Sequence, residues 1–236
     1  MKKSFYYILL LAFIVTVASC KKDNYDAPGS KLEGRIVYNG EPINVEYNQV
    51  PFELYQYGFG AVGPIGGIFD QDGSYSMLLF DGEYKFIIPN NQGPFKWKQT
   101  SVGNPDTTVI QLKGSQTLDI EVTPYYMIRN PQLAASGGAV TGSFKIEKII
   151  TDASAKNIES VSLYINKTAF VSGAGAYNVG SSSKAGGAIT DPNNVSLTVT
   201  VPTSVSATQN YVFARIGLKI AGVDDLIFSP VTKVQW

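Results

Sequence analysis

From Leu32 onward the apolar residues of this chain recur at every second position, and no stretch keeps a convincing 3.6-residue period. Period two is the repeat of a strand with one face in a core, because successive side chains leave a pleated backbone on opposite sides. The chain is therefore expected to be all-β. Candidate strands are residues 32–38, 50–56, 75–80, 83–88, 107–112 and 118–123, followed by 125–129, 140–149, 161–166, 195–201, 211–220, 226–229 and 231–236. Val50, Phe52 and Leu54 share a face, as do Tyr84, Phe86 and Ile88, and Leu118, Ile120 and Val122. Asn39-Gly40, Asp72-Gly73 and Asp81-Gly82 stand where the pattern breaks and tolerate the positive φ of tight hairpin connections.

Thr123-Pro124 interrupts the alternation near the middle, which places a domain boundary between 31–124 and 125–236. Each half holds a set of short strands separated by turn residues, without the helices that a parallel sheet needs between its strands. Two consecutive β-sandwiches are expected. Trp236, in alternation with Val234, is expected in the core of the last strand. The Gly- and Ser-rich residues 172–194 are expected to form one long exposed loop.

The N-terminus has the anatomy of an export signal over residues 1–19: Lys2 and Lys3, then an apolar run from Phe5 to Val17, too short to span a bilayer. Val17-Ala18-Ser19-Cys20 resembles the lipobox of bacterial lipoproteins, which implies acylation of Cys20 and a lipid anchor in a membrane. Cys20 is the single cysteine, so no intrachain disulfide is available. Residues 20–30 are polar and turn-rich and read as a tether. The charged residues that follow Cys20 resemble the surface-export signals of Bacteroidetes lipoproteins, which implies an outer-membrane protein at the cell surface.

Composition removes whole classes of chemistry. The absence of histidine excludes Ser-His-Asp and Cys-His catalysis and His-ligated metals. Lys plus Arg and Asp plus Glu both total 19, with no basic cluster, which argues against a nucleic-acid partner. Gly58, Gly60 and Gly63 fit G-x-G-x-x-G, but Pro64 and the glycines after it cannot open the helix that would hold a pyrophosphate. Ser181 and Lys184 fit S-x-x-K without the companion motifs of that chemistry. Asp70 and Asp72 are weak candidates for a calcium loop, with a hairpin turn the better reading. Carboxylate pairs for glycoside hydrolysis can be drawn among Asp70, Asp72, Asp81, Glu83, Asp224 and Asp225, all at turns or strand ends where solvated acids are ordinary. Neither a cofactor nor a metal is expected, and catalysis is not.

The stretches Gly34 to Ile43, Asp72 to Tyr75 and Phe80 to Phe86 resemble the transthyretin-like, carboxypeptidase-regulatory domain. With the lipobox before it and an immunoglobulin- or fibronectin-like half after it, the chain resembles a family of two-domain Bacteroidetes lipoproteins of unknown function. That resemblance implies company with the SusC/SusD-type outer-membrane machinery for glycan uptake, and it maps no functional residues. The chain holds 14 Tyr, 12 Phe and 2 Trp, and several fall where exposure is expected. Tyr55, Tyr57, Phe59, Phe95 and Trp97 are therefore the candidate carbohydrate contacts, because a flat ring can stack on a pyranose. The expected function is an accessory or glycan-binding component of an outer-membrane uptake system. The alternatives are a spacer or adhesin-like module that binds a protein and, more remotely, a glycoside hydrolase.

Overall fold

The computed structural model describes residues 26–58 and 61–236. Cys20 and its signal segment, and Phe59, lie outside the described residues. Among those described, no helix is long and apolar enough to cross a membrane.

The first sandwich comprises β1 (Ser30–Tyr38), β2 (Glu41–Pro42), β3 (Pro51–Gln56), β4 (Pro64–Ile68), β5 (Ser74–Leu79), β6 (Gly82–Ile87), β7 (Phe95–Lys96), β8 (Gln99–Ser101), β9 (Asn104–Pro105), β10 (Thr108–Leu112), β11 (Gln116–Thr117), β12 (Ile120–Glu121) and β13 (Thr123–Pro124). One sheet is built on β1, which pairs antiparallel with β2 and β5 and parallel with β11 and β12. The other runs β10-β6-β3-β4. Asn39 and Gly40 both have positive φ, 51° and 77°, as a two-residue hairpin between β1 and β2 requires. The alternating residues meet between the sheets, where Phe52 lies 4.8 Å from Phe69, 5.0 Å from Phe86 and 5.2 Å from Tyr75, centroid to centroid. Burying each such ring contributes about 1.5–3 kcal/mol, and each ring pair about 0.5–1.5 more.

The second sandwich comprises β14 (Tyr126–Ser136), β15 (Ala139–Lys148), β16 (Ile158–Asn166), β17 (Gly180–Ala185), β18 (Val195–Thr200), β19 (Tyr211–Ile220), β20 (Leu226–Phe228) and β21 (Thr232–Gln235). A three-stranded sheet, β14-β15-β18, covers a second sheet ordered β17-β16-β19-β20, with β21 also pairing β19. Strands one, two and five of the domain on one side and the rest on the other is an immunoglobulin-like arrangement of the fibronectin kind. Val161, Leu163 and Ile165 of β16 and Ala214, Ile216 and Leu218 of β19 are fully buried.

Three expectations are corrected. Residues 172–194 are not one loop: Gly180–Ala185 is a strand paired along β16, with Ser162 and Ser183 hydroxyls 2.7 Å apart. Its Gly-Ser-Ser-Ser-Lys-Ala sequence carries no apolar alternation, so the pairing partner rather than side-chain burial makes it a strand. β14 runs past Pro131 because a register shift between Arg129 and Gln132, with Asn130 at φ 50°, absorbs the proline on an edge strand. Trp236 stands just beyond β21 and is 37% exposed, while Val234 fills the core place.

The two sandwiches share one continuous apolar cluster. Asn44 and Phe228 form a β-bridge across the junction, and Arg129 reaches from the second domain to Glu41 of the first. Arg215 is fully buried and has no carboxylate partner within ion-pair distance among the described residues. Its guanidinium donates instead to the carbonyls of Val45 (3.1 Å) and Gln71 (3.4 Å) in the first domain and Val171 (3.3 Å) in the second. It also lies 3.8 Å from the centroid of the Phe228 ring. Burial pulls its pKa down to about 9, against the opposing pull of Glu46, so it stays protonated at neutral pH.

Candidate functional site

The segment after β6 shapes the junction. Gly93, at φ 79°, makes a turn in which any β-carbon would stand 2.3 Å from the Phe95 ring, so no side chain fits there. The turn is fixed from the other domain, because the buried carboxylate of Asp225 accepts the Gly93 N–H at 2.6 Å. Burial pushes the Asp225 carboxyl up, the Gly93 bond opposes this, Glu46 and Asp224 add to the rise and Lys219 counters it. From the turn, Phe95 and Trp97 point into the first sandwich: both are buried, Trp97 lies 6.1 Å from Phe86, and its indole N–H donates to the Asp106 carbonyl at 2.7 Å.

The expected exposure of Phe95 and Trp97 is thus corrected. The short strand β7 pairs with β13 and turns alternate residues inward. Tyr55 is half-buried and donates to Glu53 at 2.7 Å, a bond that raises its phenol. Tyr57 is 55% exposed, with the Lys85 ammonium 4.7 Å from its ring centroid. Neither tyrosine lines the groove that Phe95 and Trp97 help to form, so these aromatics do not converge on one patch.

That groove, about 290 Å³, lies between the domains. Asn90, Gln92 and Gln99 supply amides from the first domain, while Tyr125, Lys156 and Asp224 close it from the linker and the second. Gln99 Nε2 donates to Asn90 Oδ1 at 3.4 Å, and Asn90 Nδ2 donates to the Gly103 carbonyl at the tip of the β8–β9 hairpin. Tyr125 is half-buried, its phenol raised by burial and by Asp152, with the Lys156 ammonium 5.8 Å from its ring centroid. Lys156 Nζ itself donates to the Gly222 carbonyl at 2.7 Å, and Lys96 Nζ donates to Ser154 Oγ at 3.0 Å. A second depression of about 570 Å³ is lined by the Lys96 to Gln99 segment together with Glu121 to Thr123 and Ile149 to Asp152. Planar amides, one ring face and fixed ammonium groups can bond the hydroxyls and cover the C–H face of a sugar.

The remaining candidates hold turns. Asp72 bonds the Ser74 N–H and hydroxyl and pairs with Arg35 at 3.3 Å, while Asp70 closes the same turn through its backbone. Asp81 accepts from Ser30 and from the Gly114 N–H, and Glu83 accepts from Gln111 at 2.5 Å. Among the described residues no group of three or more acidic, His or Cys side chains could hold a metal. Ser181 and Lys184 lie on β17. The groove residues Asn90, Gln92, Tyr125 and Lys156 carried no signal in the sequence, because the site exists only where two domains meet.

Two paired family profiles match this chain, one described as the N-terminal domain of a protein of unknown function, DUF3823, over residues 30–123, the other as a DUF3823 C-terminal domain of unknown function over residues 126–233. The chain belongs to the DUF3823 family. A DUF3823 structure from Parabacteroides merdae is 33% identical, with a TM-score of 0.76, covering 89% of this chain and 100% of that one. One from Bacteroides ovatus is 27% identical at the same TM-score, covering 87% and 98%. A Bacteroides uniformis protein, provisionally described as a carbohydrate binding protein, shares the fold at 16% identity and TM-score 0.67, covering 89% and 100%. A comparison with the curated proteins returns no match.

Proposed function

We propose that this DUF3823 protein is a lipid-anchored, non-catalytic component of an outer-membrane nutrient uptake system and binds glycan in the groove between its domains. The observation that carries the reading is the groove itself: amides of Asn90 and Gln99 held in place beside the Tyr125 ring, at a junction fixed by Asp225. The kinship with Bacteroides proteins, one of them provisionally described as carbohydrate binding, supports the class of ligand. Acylation at Cys20 would supply the anchor, and a SusC/SusD-type complex is the proposed company. A glycan array probed with the soluble chain tests the ligand. Retention of at least one glycan, weakened about fivefold in Tyr125→Ala, is expected, since a ring–sugar contact contributes roughly 1 kcal/mol. Unchanged retention in that variant would remove the groove as the site.

One observation favours the protein-binding alternative: Val102, at the tip of the β8–β9 hairpin beside the groove, is 99% exposed. An apolar tip of this kind suits a contact with a neighbouring protein, and Val102→Asp should then weaken co-purification with an outer-membrane partner while glycan retention persists.

A further inference from the structure

Away from the groove, a second aromatic group forms where the domains meet. Tyr47, in the loop before β3, lies 4.7 Å from Phe170 and 5.6 Å from Tyr177, which stand 6.3 Å apart in the segment after β16. Phe170 is 43% exposed and both tyrosines are half-buried. What sets Phe170 apart from a lone exposed apolar residue is its contact with two other rings, which makes a contiguous aromatic patch.

The support beneath the rings is fixed. Asn166 Nδ2 donates to the Phe170 carbonyl at 2.6 Å, and the Asn178 side-chain amide spans the carbonyls of Ser172, Gly173 and Ala174 at 3.1–3.2 Å. Gln71 of the first domain donates to the Ala169 carbonyl at 2.9 Å, and Arg215 donates to the Val171 carbonyl. The rings are therefore presented on a preorganised scaffold, which reduces the entropy lost on binding.

What surrounds them selects the ligand. The contributing segments, residues 46–49 and 167–178, carry one acid, Glu46, and one base, Lys167, and otherwise hydroxyls, amides and small side chains. Gly173 to Ala176 put nothing bulky beside the rings. We propose that Tyr47, Phe170 and Tyr177 form a second carbohydrate contact, a stacking surface for a pyranose of a neutral polysaccharide, built jointly by the two domains. It rests on the glycan-binding reading above and extends it to a second point, so that one polymer engages the chain twice and gains avidity without a deep pocket.

The test is retardation of the soluble chain in native gels cast with soluble neutral polysaccharides: a mixed-linkage glucan, a xylan and a mannan. Wild type is expected to be retarded by at least one of them, Phe170→Ala to lose about five- to tenfold in apparent affinity with an unchanged melting temperature, and Phe170→Tyr, which keeps the ring, to retain it. Tyr125→Ala in the groove should lose affinity separately. Retardation of Phe170→Ala equal to wild type would overturn this second contact while leaving the groove standing. Loss of binding in Phe170→Tyr together with a lowered melting temperature would make the ring a packing element and overturn it too. A wild type retarded by none of the polymers would overturn the glycan reading itself, and this inference with it.

Discussion

Asp225 shows how one side chain ties the fold to the groove. Removing the carboxyl in Asp225→Ala leaves the buried Gly93 N–H without its acceptor, at a cost of about 1–3 kcal/mol, or a fall of roughly 2–12 °C in melting temperature. Asp225→Asn keeps an acceptor and discards a charge that burial disfavours. Because the folded chain holds this proton more tightly than the unfolded chain, the group's contribution weakens as pH rises from the ordinary carboxylate range, about 4, through its raised value. Asp225→Asn should therefore match or exceed wild type at neutral pH, and the difference should shrink as pH falls, as thermal melts across pH would read. Trp97 belongs to the core rather than to a platform. Trp97→Ala should cost about 3–5 kcal/mol and lower the melting temperature by about 10 °C, which calorimetry would register. A drop of less than two degrees would mean that the ring is not packed as described.

At the scale of elements, the sequence carried most of the strands whose faces are half buried. The predicted 211–220 coincides with β19, and the predicted 140–149 and 195–201 differ from β15 and β18 by a residue at their ends. Where burial does not write the pattern, it was silent: β4, with Pro64, Gly66 and Gly67 and only Ile65 packed on the core, and β17, with its serines, are strands mainly through backbone pairing. The single strand expected at 118–123 is broken, holding only β12 and the first residue of β13 with β11 just before it, because β1 is flanked in turn by β11 and β12 before the chain crosses to β7. The groove was legible only in part: the aromatics Phe95 and Trp97 were visible, but which way the rings point depended on the β7–β13 pairing. The β8–β9 hairpin hangs on Asn90, so Asn90→Ala should raise amide exchange across residues 99–105 while leaving the melting temperature within about 1 °C. Unchanged exchange there would mean that the amide bridge does not hold the hairpin.

Over the whole molecule, the two sandwiches have a continuous apolar cluster, and Arg215 of one depends on carbonyls of the other. A buried guanidinium stripped of those carbonyls is strongly unfavourable, so the second domain alone should be markedly less stable than within the chain. Calorimetry of residues 26–236 is expected to show one cooperative transition, and Arg215→Ala to lower it by several degrees or divide it in two. Two well-separated transitions in the unaltered chain would show that the junction is not rigid.

A rigid junction matters because it sets the groove. The most direct test of that groove as a ligand site is to titrate the isotope-labelled soluble chain with an oligosaccharide chosen from the glycan array and follow its backbone amide resonances. The account predicts shifts concentrated at Asn90 to Gln99, Tyr125, Lys156 and Gly222 to Asp224. Saturable shifts that leave all of those amides unmoved would contradict it.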